Sequence, residues 1–298
     1  MTPKLEKQLL TVKKVLVESL NSNFVPFPVD KSICSAWTKD LPYGGETIIY
    51  TSFMYQLSSL FKSYEKLIPT FSGLGGSSRL ASLGKYFVRP KKDELERSYR
   101  ILNNISSMLA RRGVSHGYLY NDEPYSGGLL LELGMIEEFR DYGRKVLDVF
   151  KSKGVKKVIT VDPHTNNAIS RLKEIHDSDL EVVNYLTLID KAQGEGEFVF
   201  HDPCLYTRHH NLGGQIRLVL GNSGVKLKED RMVTSREYGI CCGAPLGPID
   251  INLSDEIAKI RSRDLLSVSE NIMVACPLCY QNIATHARNI KDIAEVIK

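Results

Sequence analysis

Apolar residues recur along the chain at two different spacings, and the alternation between them predicts the elements. Leu9, Leu10, Val12, Val15 and Leu16 share helical spacing within residues 3–20, and the Pro- and Asn-containing stretch 21–28 cannot continue a helix. A leading helix and a linker are expected there. Thr47-Ile48-Ile49-Tyr50 is a short β-rich run entered through Gly44-Gly45, and residues 95–111 form a periodic segment that stops at Gly113. Residues 134–153 read as helix again, with Gly154 as the stop, and residues 155–161 as a strand that runs into Asp162-Pro163. Strand followed by helix, repeated, predicts an α/β layer built on a mainly parallel sheet.

The same order returns in the second half. Residues 45–55 can be laid over 196–206 with one residue of slack. Tyr125-Ser126-Gly127 falls over Cys241-Cys242-Gly243, and residues 158–165 fall over 272–275 followed by Cys276-Pro277-Leu278-Cys279. The step from Ser126 to Asp162 is 36 positions and that from Cys242 to Cys276 is 34, close enough for two copies of one unit. The expected fold is α/β, two Rossmann-like modules related by internal duplication. Residues 1–45 would form a helix and linker, 46–185 a first module with an insertion around 63–90, and 186–298 a second module.

Composition narrows the class without naming a function. A chain of 298 residues, 42% hydrophobic and 25% charged, is expected to be soluble and globular, not disordered. No apolar run approaches the roughly 18 residues of a spanning helix, and Met1-Thr2-Pro3-Lys4 lacks a signal-peptide pattern, so a cytoplasmic location is expected. A formal charge of +4 without a polybasic block does not point to nucleic acid. The Lys and Arg residues of 85–100 read as a solvated helix face.

Cysteine changes the picture. There are six, too few for a disulfide scaffold, and five of them fall in the last third of the chain. Cys34 stands alone and reads as packing. The others run Cys204, 36 residues, Cys241-Cys242, 33 residues, Cys276-x-x-Cys279. Thiolates are soft ligands suited to iron–sulfur clusters or zinc, and Cys-x-x-Cys brings two sulfurs to one centre from a single turn. Pro277 stiffens that turn. Adjacent cysteines normally point to opposite faces, so Cys241 and Cys242 converge only if the backbone bends, which Gly243, Pro245, Gly247 and Pro248 allow.

Val199-Phe200-His201-Asp202-Pro203-Cys204, Cys241-Cys242-Gly243 and Ala275-Cys276-Pro277-Leu278-Cys279 resemble the cysteine-rich CCG domain of heterodisulfide reductase B/D subunits. The same domain occurs in the iron–sulfur subunits of glycolate oxidase, lactate-utilisation and anaerobic glycerol-3-phosphate dehydrogenase systems. The resemblance covers most of residues 40–295 and implies tandem modules. It implies one noncubane [4Fe-4S] cluster per chain, held by Cys204, Cys241, Cys242, Cys276 and Cys279. At the matching positions the first module has Phe53, Tyr125, Ser126, Asp162 and Thr165, so no cluster is expected there.

The resemblance also implies a B-type subunit of a heterodisulfide reductase-like oxidoreductase, exchanging electrons with a thiol or disulfide substrate or carrier. Its partners would be a ferredoxin-type iron–sulfur subunit and a flavoprotein subunit, with any membrane association made through them. His201 and Arg208, flanking the first cysteine as Asp202 does, are the catalytic candidates: each could hydrogen-bond cluster sulfur or protonate a departing thiol. His209 and His210 read as surface residues. Phe53, Tyr125 and His164 are candidates for an opposite wall of the cluster cleft. Three readings stand beside this one: an electron-transfer subunit of a flavin-dependent 2-hydroxy-acid or glycerol-3-phosphate dehydrogenase, a zinc-stabilised, non-redox assembly module, and an inert interaction scaffold, which would leave the five cysteines unexplained.

Overall fold

A computed structural model describes residues 3–73 and 90–298. Most of the insertion expected around 63–90, and the start of the basic stretch 85–100, lie outside the described residues.

Helix α1 (Pro3–Asn23) runs past its expected stop and ends where Phe24 enters the left-handed region at φ 57°. After α2 (Ser32–Ser35) come β1 (Thr47–Tyr50), α3 (Met54–Gly73), α4 (Lys92–Arg111), α5 (Gly128–Glu132) and α6 (Ile136–Ser152). Then follow β2 (Lys157–Thr160), α7 (Pro163–Ile175), β3 (Glu181–Asn184) and α8 (Tyr185–Leu188). The second half begins with β4 (Glu197–Phe200), a π-helical turn over Leu205–His209, α9 (Gly213–Asn222) and β5 (Lys226–Leu227). It ends with α10 (Ile251–Leu266), β6 (Ile272–Val274), α11 (Pro277–Ile283), β7 (Ile290–Asp292) and α12 (Ile293–Val296).

Two all-parallel sheets result, one ordered β1-β2-β3 and the other β5-β4-β6-β7. Ile48 pairs with Val158 and Val158 with Val182 in the first, and Val199 pairs with Ile272 and Ile272 with Ile290 in the second. Helices cover both faces, so the strands read as continuous apolar runs without polar alternation. Alternate residues feed two cores. One core holds Ile48, Tyr50 and Val158 together with Val199, Ile272 and Val274. The other holds Ile49, Ile159 and Val161 together with Phe198, Phe200 and Met273. Each core thus takes side chains from both sheets, and each large side chain so buried contributes about 1.5–3 kcal/mol.

Polar contacts fasten the halves as well. Tyr55 Oη donates to Asp292 at 2.9 Å, Arg97 Nε to Glu295 at 2.9 Å, and Asn184 Nδ2 to Tyr206 Oη at 2.9 Å.

The loops after the central strands have matching geometry. Asp162 caps α7, accepting from the backbone N–H groups of His164 and Thr165 at 2.9 Å, with Pro163 in the first helical turn. Cys276 caps α11 in the same way, its sulfur accepting from Cys279 N at 3.4 Å, with Pro277 in the first turn. Gly127 opens α5 at φ 80°, and Gly243 opens the turn Ala244–Leu246 at φ 85°.

Candidate metal centre

Cys204 follows β4 and Cys276 follows β6, at the carboxyl ends of the two central strands, where ligands of open parallel sheets collect. Cys204 lies at the start of the π-helical turn that follows β4. Cys241 and Cys242 arrive on the loop between Arg236–Tyr238 and Ala244–Leu246, and Cys276 and Cys279 on the first turn of α11. Only glycine suits position 243: a Cβ there would stand 2.7 Å from Ser254 O and 3.0 Å from Ile257 Cβ, on a backbone already in the left-handed region. Asn282 Nδ2 then donates to Cys242 O at 2.9 Å and to Ser254 Oγ at 3.1 Å, while Ser254 Oγ donates to Gly243 O at 3.0 Å. The bend that the sequence requires is therefore tied to α10 and α11.

Successive thiol contacts link Cys204 to Cys241, Cys241 to Cys242, Cys242 to Cys279 and Cys279 to Cys276. Cys242, Cys276 and Cys279 are buried, and Cys204 and Cys241 are partly exposed, so the cluster of sulfurs opens to solvent at one edge. Cys241 accepts from the thiols of Cys204 and Cys242, which lowers its pKa, and those contacts push Cys204 and Cys242 upward. Burial works against ionisation of Cys276, yet the Cys279 thiol and His164 hold it below the ordinary thiol range. Thiols gathered in this way are soft donors that lose their protons when a thiophilic cation binds.

His201 and Arg261 shape the buried side of the site. A ring nitrogen of His201 and the sulfurs of Cys242 and Cys279 lie within 4.8 Å of one another. Arg261 Nε donates to His201 Nδ1 at 3.0 Å, which places the ring proton on Nε2, and that nitrogen is buried without a partner. Burial and the adjacent guanidinium pull the imidazole down to about 3, so it is neutral. As a metal ligand it would have to present a lone pair at Nε2 and turn an N–H toward Arg261, donor against donor. His201 thus has an unspent N–H on the side of the Cys242 and Cys279 sulfurs, with no hydrogen bond to either.

Arg261 is 1% exposed, spends Nη1 on Val233 O at 2.8 Å and leaves Nη2 buried and unpartnered. Burial works against its charge, which Asp202 and Asp264 favour most and Cys279 and Cys242 after them, although no carboxylate among the described residues stands within ion-pair distance. A buried guanidinium with an unspent N–H is costly unless anionic groups lie near it, and a thiolate-ligated centre would add to the charge of Asp202 and Asp264. The donor set is thus soft, largely buried and bordered by a guanidinium with a free N–H. These residues fit a sulfur-ligated metal centre.

Arg208 is placed differently. It is exposed, and its Nε donates to Glu237 O at 2.5 Å and its Nη2 to Gly239 O. Those donors hold the segment leading into Cys241. Asp202 forms a buried ion pair with Arg217 at 2.8 Å. His209 is exposed and His210 half-buried. Cys34 lies in the core of the first half, where burial pushes its thiol up.

In the first half, Phe53, Tyr125, Ser126, Asp162 and Thr165 are all buried. Ser126 N donates to Ser52 Oγ at 2.7 Å, and Thr165 Oγ1 donates to Asp162 at 2.5 Å, so hydrogen bonds and packing fill the place of sulfur. Of the three residues expected on the opposite wall, His164 reaches the cysteines, with Nε2 3.3 Å from Cys276 Sγ. Phe53 and Tyr125 are packed into the core. Arg261 is a site residue that sequence reasoning misses, although its spacing is a usable signal: Ser254, Ala258, Arg261, Ser262 and Leu265 form the buried stripe of α10, with an arginine in a core position.

Among the described residues no helix is long and apolar enough to cross a membrane. No solved structure matches the chain. The chain is 28% identical over 230 residues to the EtfAB:quinone oxidoreductase of Syntrophomonas wolfei, covering 68% of this chain and 32% of that protein. It is 28% identical over 212 residues to the probable iron-sulfur-binding oxidoreductase FadF of Bacillus subtilis, covering 66% of this chain and 30% of that one. The chain therefore spans about a third of the length of the curated relatives it matches. The cysteine-rich domain family CCG matches residues 198–284, a segment that carries all five clustered sulfurs. Residues 198–284 thus match the CCG cysteine-rich domain, in a chain similar to proteins named as oxidoreductases.

Proposed function

We propose that the CCG domain holds an iron–sulfur centre and that the chain is an electron-transfer component of a larger oxidoreductase. The observation that carries this reading is the contact chain of five sulfurs beside a buried arginine whose Nη2 has no hydrogen-bond partner. When bound, such a centre supplies one-electron transfer. Cys204, Cys241, Cys242, Cys276 and Cys279 would hold it. His201 would present its Nε2 proton to sulfur, Arg261 would balance the anionic charge, and the partly exposed edge at Cys204 and Cys241 would face the redox partner.

A noncubane [4Fe-4S] centre, one per chain, uses the fifth sulfur. A tetrahedral zinc needs only four and leaves one unexplained. The paired N-caps Asp162 and Cys276, and the paired glycines Gly127 and Gly243, support descent of both halves from one duplicated module with divisions near residues 45 and 185.

Between the two redox readings, the relative named for EtfAB and quinone favours an electron-transfer component over thiol–disulfide chemistry, since its name contains a protein and a quinone and no thiol. Electrons would enter or leave through a partner such as a ferredoxin-type or flavoprotein subunit. The heterodisulfide reductase-like reading is supported by the open edge of the site, which leaves room for a substrate sulfur.

Anaerobic purification with iron, sulfide and zinc analysis tests the proposal. Iron and acid-labile sulfide in the ratio of a [4Fe-4S] centre are expected, with a paramagnetic signal in one oxidation state. Serine at any of the five positions should lower iron content, and Cys34→Ser should leave it unchanged. Zinc without sulfide would overturn the reading.

A further inference from the structure

We infer that the first half completes the cysteine site: His164, braced by Glu132, donates a hydrogen bond to the sulfur of Cys276 and raises the reduction potential of the centre. This rests on the iron–sulfur reading above.

The contact joins residues far apart in the chain. His164 stands in the first turn of α7, its own N–H held by Asp162 Oδ1 at 2.9 Å. Its Nε2 lies 3.3 Å from Cys276 Sγ and its Nδ1 2.5 Å from Glu132 Oε1 at the end of α5. Both side chains are nearly closed to solvent, at 7% and 10% exposure. The brace depends on Gly127, whose left-handed backbone opens α5 and whose missing side chain leaves room for Tyr142 and Phe139, 3.0 and 3.3 Å from where a Cβ would stand. A glycine turn that holds no cysteine therefore still serves the cysteine site.

The partners dictate the protons. An ionised carboxylate only accepts, and a thiolate bound to metal also only accepts. An imidazole between two acceptors carries a proton on each nitrogen and donates in both directions. Reduction of a thiolate-ligated centre adds electron density to its sulfurs, so an N–H···S bond strengthens in the reduced state and favours it. Fixed by α7 and braced by Glu132, His164 makes this bond without rearrangement.

The test compares the parent protein with His164→Gln and Glu132→Gln, all purified anaerobically. Iron and sulfide content are measured first, then the midpoint potential by redox titration followed by paramagnetic resonance. A more negative midpoint is expected for His164→Gln, and a smaller shift in the same direction for Glu132→Gln, which keeps the imidazole but weakens its brace. Midpoints equal to the parent in whichever variants hold iron would overturn the inference. Loss of iron from both variants with unchanged circular dichroism would also overturn it, making the pair a determinant of retention instead of potential. A parent protein without iron and sulfide would defeat the iron–sulfur reading itself, and the inference with it.

Discussion

At position 243 one missing side chain decides whether two adjacent sulfurs meet. The φ of 85° disfavours any L-residue, and the 2.7 Å approach to Ser254 O is to backbone, which cannot swing aside. Gly243→Ala is expected to cost about 2–3 kcal/mol from backbone strain and overpacking together, read from the urea midpoint of the metal-free protein. A change below a few tenths of a kcal/mol would mean that the loop has another route to the same bend. Gly243 and the five cysteines were legible from residue type and spacing alone, because few other residues serve a left-handed bend or a soft metal. Arg261 was not, since an arginine on an amphipathic helix normally faces water and only packing shows that this one does not.

Elements carry a different kind of information. On α3, Glu65 is buried among Val12, Leu16, Phe61 and Leu129, its Oε2 without a hydrogen bond and 3.9 Å from Lys62 Nζ. Burial raises its carboxyl to about 7 against an ordinary 4.5. The folded state therefore holds the proton more tightly than the unfolded chain, and the stability this gives is present below about pH 4.5 and lost as pH rises through about 7. Glu65→Gln should accordingly raise stability more at pH 8 than at pH 4, measured by urea unfolding at the two values. An equal effect at both would show that Glu65 ionises freely in the fold. Strands β1 and β2 were legible in sequence as apolar runs, and α4 and α6 as periodic segments closed by glycine. The end of α1 was not, because the turn at Phe24 is set by tertiary packing and leaves no glycine as a mark.

For the whole molecule, the two cores draw on both sheets, and the cysteine loops are braced from the first half through His164. Metal held by those loops should therefore stabilise more than one segment. The metal-loaded protein is expected to melt at a higher temperature than protein stripped by a chelator under anaerobic reducing conditions, with protons released on reloading. Coincident melting of both forms would show that the site contributes nothing to folding. The difference should appear in probes of both halves, such as Trp37 fluorescence in the first and far-ultraviolet dichroism overall, since Trp37 belongs to the core that also holds Phe200 and Met273.

The order of strands and helices and the soft-ligand set were determined by sequence alone, because hydrophobic spacing and cysteine chemistry are local properties. What only the tertiary structure decided is which non-cysteine groups surround the sulfurs. His164 reaches them from α7, His201 stands beside them on the loop after β4 with Arg261 of α10 donating to it, and Arg208 turns instead to the backbone before Cys241. Such choices depend on contacts between residues distant in the chain, some 60 apart for His201 and Arg261 and 112 apart for His164 and Cys276, and no local pattern encodes them.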